Sequence, residues 1–324
     1  MASENEFCKN PTSKDTITTI DSESYDSIGG RKHSLDQDTT LGALMENVDL
    51  HKLQQVIDTI TIPQQPNIIL QLANEQLKSE PDFKRIERIV IKDVGIASYV
   101  LKVINSPFFN IRGTVDSIQQ ALVMLGLKQI KNLVTEKLLG EVLNTTSTPL
   151  TRKIWDHSRK SALACSLLTN EINTPFKPKN EQAYTLGLFH RCGVLLLMRK
   201  FPSYMDIYSQ ALEAESPLHE LELQEFGIDH RMVGYAMALA WRLNPDIALS
   251  ILNHHETSPW ATSAGIDAEQ DVLEAILELS DTVLKEGAAD PRLLAYLGLT
   301  NDTFSETEDR LLIRLNNETQ GRGV

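Results

Sequence analysis

With 324 residues, 41% hydrophobic and 23% charged, the chain can bury a core of ordinary size, which excludes a disordered or fibrous polypeptide. The formal charge of −13 resides at the ends: residues 1–50 carry 10 acidic and 4 basic side chains, 266–324 carry 13 and 5, and 51–265 hold 21 and 22. The centre therefore lacks the basic excess of a strongly electrostatic nucleic-acid binder.

Three distant cysteines, Cys8, Cys165 and Cys192, form neither a disulfide framework nor a CxxC knuckle. No apolar run after Met1 reads as a secretory leader, and none approaches a membrane span. A soluble, cytoplasmic protein is expected. Residues 1–44, rich in Ser, Thr, Asp and Glu, read as a mobile acidic tail.

Helical periodicity then takes over. Ile69, Leu72, Ala73 and Leu77 share one face after Pro66, and Ile86, Ile89 and Val90 share another after Asp82. Asp93 is placed to cap a segment carrying Ile96, Val100, Val103 and Ile104. Asn105 to Thr114 reads as a loop. Asp116 is the expected cap of "SIQQALVMLGLKQIKNLV", a helix–glycine–helix pattern about Gly126. A DNA-binding helix-turn-helix would need a polar outer face on the second helix. Only Lys128, Gln129, Lys131 and Asn132 qualify, so a helical corner in a bundle is the plainer reading.

"NTTSTP" (Asn144 to Pro149) separates two halves. A helix through Trp155, Ala162 and Cys165 follows, then a loop. Next comes one continuous helix containing "GLFHRCGVLLL" (Gly187 to Leu197), ended by Pro202. Ser216-Pro217, Asp229 and Asn244-Pro245 mark further starts, and Val272, Ile276, Leu279 and Val283 form a last strong amphipathic face. No alternating β-branched run intervenes, so the fold is expected to be all-α. The expected divisions are 45–148 as an N-terminal helical part, 149–290 as a second helical part, and 291–324 as a helical extension or tail.

No phosphate loop, nucleophile elbow or dinucleotide fingerprint is present. Histidine placement stands out instead: His157, His190, His230, His254 and His255 fall in the second half, with Asp281 on the last amphipathic helix. One histidine on an apolar face is ordinarily a satisfied core residue. Several on successive helices of one bundle form a constellation, because bundles assemble sites from facing helices. Periodicity turns His190 inward and surrounds Arg191 with apolar neighbours, where a guanidinium needs an acceptor.

The order Trp155-Asp156-His157-Ser158, "LGLFHRCGVLLL", "EFGIDHRMVGYAMALAWRLNPDIALSILNHHE" (Glu225 to Glu256) and Asp281 resembles the HD superfamily of metal-dependent phosphohydrolases. More closely it resembles the HDOD branch, the HD-related output domains of bacterial signalling proteins. "IPQQPNIILQLAN" (Ile62 to Asn74), "IVIKDVGIASYVLKVINSPFF" (Ile89 to Phe109) and "SIQQALVMLGLKQIKNLV" (Ser117 to Val134) are similar to that branch's N-terminal signature. The resemblance implies a multi-helix bundle in which an N-terminal helical subdomain packs on an HD-like one.

In catalytic relatives the metal is held by an early histidine, a His-Asp pair and a distant aspartate. The resemblance puts His157, His190 and Asp281 at those places, and His230 with His254 or His255 near the further histidines of two-metal relatives. Arg191, however, stands where the paired aspartate belongs. A permanent cation has no lone pair to give a metal. These seven positions therefore read as a vestigial site, with Arg191 expected to pair with Asp281, and with no catalytic residue, metal or cofactor expected.

The resemblance then implies a bacterial signal-transduction output domain without hydrolase activity, one that binds an unknown signalling protein or a small nucleotide-like ligand. No membrane or nucleic-acid partner is expected, and the sequence assigns no oligomeric state. Two alternatives stand: a regulator holding nucleotide phosphate on Arg191, and a residual metal-dependent phosphohydrolase.

Overall fold

Short polar side chains set the helix starts. Asp82, Asp93, Ser117, Thr148, Asp229, Asn244 and Asp290 each accept a hydrogen bond from a backbone amide in the turn that follows. Proline occupies the first turn after Thr148, Asn244 and Asp290, where its missing N–H costs nothing. The cap of the helix containing Gly126 is Ser117, which accepts from the Gln120 amide, rather than Asp116. In the computed structural model of the chain, the residues described are 50–214, 216–255, 260 and 268–321. The acidic segment 1–44 lies outside them.

Among the described residues the regular structure is helical, without a strand. The first half contains α1 (Leu50–Thr59), α2 (Asn67–Gln76), α3 (Phe83–Ile91), α4 (Val94–Ile104), a 3-10 turn (Pro107–Phe109) and α5 (Ile118–Val142). The second contains α6 (Pro149–Glu171), α7 (Asn180–Phe189), α8 (Cys192–Lys200), α9 (Tyr204–Glu213), α10 (Leu218–Phe226), α11 (His230–Ala240), α12 (Pro245–Asn253) and α13 (Glu269–Leu284). Helices α14 (Pro291–Tyr296) and α15 (Asn301–Gly321) follow. Helix α5 is interrupted at Gly126, with φ 75° and ψ 164°. Beyond that break Asn132 is buried and Lys128 pairs with Glu181 at 2.8 Å.

Helices α2, α3 and α4 pack on α5 through Leu72, Ile86, Val90, Val100 and Ile130, all fully buried. Each such side chain contributes about 1.5–3 kcal/mol of transfer free energy before ordering costs. In the second half α6 lies along α7, α13 packs on α6, α7 and α12, and α11 packs on α8 and α12. Helix α1 crosses to α11, and the Trp241 indole donates to the Pro63 carbonyl at 3.0 Å. The two halves also share one buried carboxylate. Glu136 of α5 accepts from Tyr99 of α4 (2.5 Å), Arg159 of α6 (2.8 Å) and Tyr184 of α7 (2.7 Å).

The continuous helix expected up to Pro202 is two helices. Arg191 (φ −105°, ψ 8°) leaves helical geometry between α7 and α8, directly after His190. Arg191 is consequently not enclosed by apolar neighbours at helical spacing; its side chain is about one quarter exposed.

Candidate functional site

Two glycines decide how closely the site's helices approach. A Cβ on Gly187 of α7 would lie 2.6 Å from the Ala162 nitrogen and the Ser161 carbonyl of α6. A Cβ on Gly193 at the start of α8 would lie 1.9 Å from the His230 carbonyl oxygen of α11. Neither position tolerates a side chain without backbone movement. The first approach brings His157 beside His190, with ring centroids 5.9 Å apart, and the second brings the α7–α8 junction against His230. His190–His254 at 5.8 Å, His230–His254 at 5.3 Å and His254–His255 at 4.0 Å continue the line of rings. His219, which sequence reasoning passed over, stacks on His255 at 5.3 Å.

The first group comprises His157 of α6, His190, Arg191 and Asp281 of α13. His190 is buried, and its Nδ1 lies 2.7 Å from the Gly187 carbonyl. A carbonyl oxygen only accepts, so Nδ1 carries the proton and Nε2 the lone pair. That lone pair accepts Arg191 Nε–H at 3.1 Å. Arg191 Nη2 also donates to Asp281 Oδ2 at 3.5 Å, while Asp281 Oδ1 lies 3.2 Å from His157 Nε2. Lys285 Nζ is 3.9 Å from the same carboxylate.

Burial acts to raise the Asp281 carboxyl, but the His157 hydrogen bond and then the Arg191 charge outweigh it and hold it well below the usual range. Burial, and after it the Arg191 charge, holds His190 well below the ordinary imidazole value, against the pull of Asp281. His157 is lowered chiefly by burial, which its bond to Asp281 only partly offsets.

The second group comprises His230, His254 and His255. His230 opens α11 next to its cap, Asp229, which also pairs with Arg231 at 2.7 Å. Its Nδ1 meets Glu222 Oε2 at 2.6 Å, and the same oxygen accepts the His230 amide at 2.9 Å. Glu222 of α10 is fully buried, and its other oxygen accepts the Tyr204 hydroxyl. His254, at the C-terminal end of α12, has Nδ1 2.7 Å from the Ile251 carbonyl. Burial holds His254 well below the ordinary value, and burial followed by the neighbouring His230 lowers His255.

Sequence reasoning missed Glu222 and Tyr204. "HELELQEF" (His219 to Phe226) looks like a solvated acidic face, and the sequence carries no signal that one of its carboxylates points inward.

One ligand atom each from His157, His190 and Asp281, and likewise from His230, His254 and His255, lies within 4.8 Å of the others in its group. The two groups differ as hosts for the metal that the HD resemblance implies. In the first, an arginine N–H occupies the His190 lone pair and the guanidinium shares Asp281, so the residues do not fit a cation. In the second, three imidazoles converge, with His255 also within reach of the Arg191 and Arg231 charges. Their donor chemistry fits a divalent transition metal.

A helical bundle with this histidine line running from α6 through the α7–α8 junction to α11 and the end of α12 has the arrangement of an HD-like helical domain. The HDOD domain family matches residues 62–257, and the chain belongs to that family. The cyclic di-GMP phosphodiesterase CdgJ of Vibrio cholerae serotype O1 is 28% identical over 165 residues, 49% of this chain and 37% of that protein. YuxH of Bacillus subtilis, an uncharacterized protein, is 33% identical over 126 residues, 39% of this chain and 30% of that one. These matches span less than two-fifths of the curated relatives' length.

Among solved structures, an HDOD domain protein of unknown function from Geobacter sulfurreducens has a TM-score of 0.67 at 19% identity. The likeness covers 84% of this chain and 97% of that one. A protein named for signal transduction from Marinobacter aquaeolei VT8 has a TM-score of 0.69 at 20% identity, over 84% and 64%. These likenesses establish the fold. Among the described residues no helix is long and apolar enough to cross a membrane.

Proposed function

We propose that this HDOD signal-transduction domain works by binding, as a regulatory output domain without metal-dependent hydrolase activity. The observation that carries the reading is the placement of Arg191, whose guanidinium donates to His190 Nε2 and to Asp281. Two of the three HD-type ligands are thereby engaged by a fixed cation that cannot deprotonate, and the carboxylate expected beside His190 is missing. A protein partner or a small ligand then supplies the response. The name of the Vibrio relative belongs to a protein of which the match covers 37%, so its activity does not weigh against this reading.

The test is turnover of cyclic di-GMP and of a generic phosphodiester by the purified chain with added Mn2+, Fe2+ or Ni2+. No turnover above the metal-only blank is expected, and metal-dependent hydrolysis that His157→Ala abolishes would overturn the proposal.

One observation favours a nucleotide as the small ligand. Arg191 is about one quarter exposed, and the largely exposed Lys285 reaches the same Asp281 carboxylate. Two cations at one opening suit a phosphate. A thermal-shift screen with mono- and cyclic nucleotides tests this, since a ligand of the native state raises its apparent stability. A rise that Arg191→Ala cancels is expected if phosphate binds there.

A further inference from the structure

We infer that α9 presents a docking face for a basic amphipathic helix of a partner protein. Charge gives the first observation. Residues 201–229 carry seven acidic side chains and no lysine or arginine. Glu222 and Asp229 are buried among these, whereas Asp206 and Glu213 of α9 and Glu220 and Glu225 of α10 are exposed. Such a surface repels nucleic acid and anionic lipid and draws a positively charged partner.

A charge run alone is ordinarily a solvated face, and the apolar row beside it is what singles out α9. Met205 is 45% exposed and Leu212 63%. They lie seven residues apart on α9, so two helical turns put them on one side with ~10.5 Å of rise between them. Half-buried Tyr208 lies in the turn between them. Tyr204 and Ala211 precede the pair by one residue each and are buried, which anchors the helix. Asp206 and Glu213 follow the pair by one residue each, which sets an acidic row about 100° around the helix from the apolar one. Single apolar side chains are normal on a surface. A pair at this spacing, bordered by acids at the same spacing, is the counterpart of an amphipathic helix with matching anchors.

The face is held in shape before anything binds. Helix α9 packs on α8 and α10. Phe201, just before α9, stacks on Phe226 at the end of α10 with centroids 4.3 Å apart, and the Tyr204 hydroxyl donates to buried Glu222. A surface fixed in advance loses little order on docking. The partner's chemistry follows from the two rows: apolar anchors that meet Met205 and Leu212, and lysines or arginines that meet Asp206 and Glu213. Met205 adapts its unbranched thioether to the anchor it receives. The inference rests on the binding reading above and deepens it by naming the class of protein partner.

The experiment titrates the full chain into a fluorescent synthetic peptide read by anisotropy. The peptide is a helix of lysine, leucine and alanine, about 18 residues long, with its leucines on one face. A scrambled peptide of the same composition is the reference. Saturable binding of the first is expected, roughly tenfold or more tighter than the second and weakened by salt. Leu212→Glu should weaken it roughly tenfold or more, and Asp206→Lys combined with Glu213→Lys should weaken it and remove most of the salt dependence. Val123→Glu, at an exposed apolar position of α5, should bind like the unaltered chain. Should Leu212→Glu lose its helical circular dichroism, Met205→Glu gives the same reading. Absence of saturation, equal binding of the two peptides, indifference to the α9 substitutions, or a loss shared by Val123→Glu overturns the inference. So does a dimer in sedimentation that Leu212→Glu dissociates, because the face then belongs to a second copy. The two readings fail separately: hydrolysis of phosphodiesters overturns the non-catalytic reading without touching the peptide result, and a peptide that does not bind leaves the non-catalytic reading standing.

Discussion

Arg191 Nε donates to Nε2 of His190, its immediate neighbour in sequence, at 3.1 Å, and the same guanidinium reaches Asp281 at 3.5 Å. Two adjacent residues can face each other because the chain leaves helical geometry between α7 and α8. On a continuous helix their side chains would diverge by about 100°. The relationship turns an HD-type ligand pair into an internal donor–acceptor pair.

Replacing that cation should therefore cost stability before it adds any chemistry. Arg191→Asp puts a carboxylate near Asp281 and leaves the His190 lone pair without its donor. Both Arg191 and Asp281 retain some exposure, so solvent softens the loss, and about 1–3 kcal/mol is expected in the chelated protein. Urea unfolding measures it. Added Zn2+ should then restore part of the loss, because an ion bound only by the native state stabilises it. Unchanged stability in the chelated variant would show that the Arg191 contacts carry no weight.

Gly193→Ala tests the packing that builds the site. The new methyl would stand 1.9 Å from the His230 carbonyl oxygen, which is backbone and cannot rotate away. A loss of about 3 kcal/mol or more, or failure to accumulate folded protein, is expected. Gly287→Ala is the control, since its nearest neighbours lie at an ordinary 3.5 Å. Equal thermal midpoints for the two variants would refute the close approach of α8 and α11.

Much of this site was legible in the sequence, and the reasons for the misses are physical. His190 stood out because helical period turns it inward among apolar residues, the other histidines because they fall on successive helices, and Asp281 through the HD resemblance; the structure gathers His157, His190 and Asp281. The break at His190-Arg191 was invisible to periodicity: Phe189 and Val194 to Leu197 are buried on every side, so they carry no phase information. Asp116 and Ser117 are both good caps, and only the Gln120 amide distinguishes them. Glu222 escaped notice because a carboxylate among acidic neighbours looks solvated, and Glu136 because Tyr99 and Tyr184, which face it, are 37 and 48 residues away.

Glu136 carries a prediction of its own. Its carboxylate, about 2% exposed, is the acceptor shared by Tyr99 and by Arg159 and Tyr184 across the junction of the two halves. Glu136→Ala removes the charge facing Arg159 and the acceptor of both hydroxyls, and should cost about 3–5 kcal/mol. Glu136→Gln keeps an acceptor and should cost less. Chemical denaturation of the two variants gives the comparison, and an equal loss would show that the buried charge is immaterial.

The acid limb of stability should carry the mark of His190. In the folded chain its imidazole is held well below the ordinary 6.5, first by burial and then by the Arg191 charge, so it stays neutral where the unfolded residue takes up a proton. The unfolded state then binds more protons, and stability falls as the pH drops below about 6.5 and returns above it. Each such histidine contributes up to about 1.4 kcal/mol per pH unit. His254 acts in the same direction. Asp281, held well below its usual 3.8, also loses its contribution in acid, beginning as the unfolded carboxyl starts to protonate at about pH 5. The interval from about pH 5 to 6.5 therefore belongs to the histidines. Urea midpoints of the chelated protein across that interval should rise with pH, and His190→Gln should flatten the rise by about one proton. An unaltered slope in that variant would mean that folded His190 titrates as freely as it does in the unfolded chain.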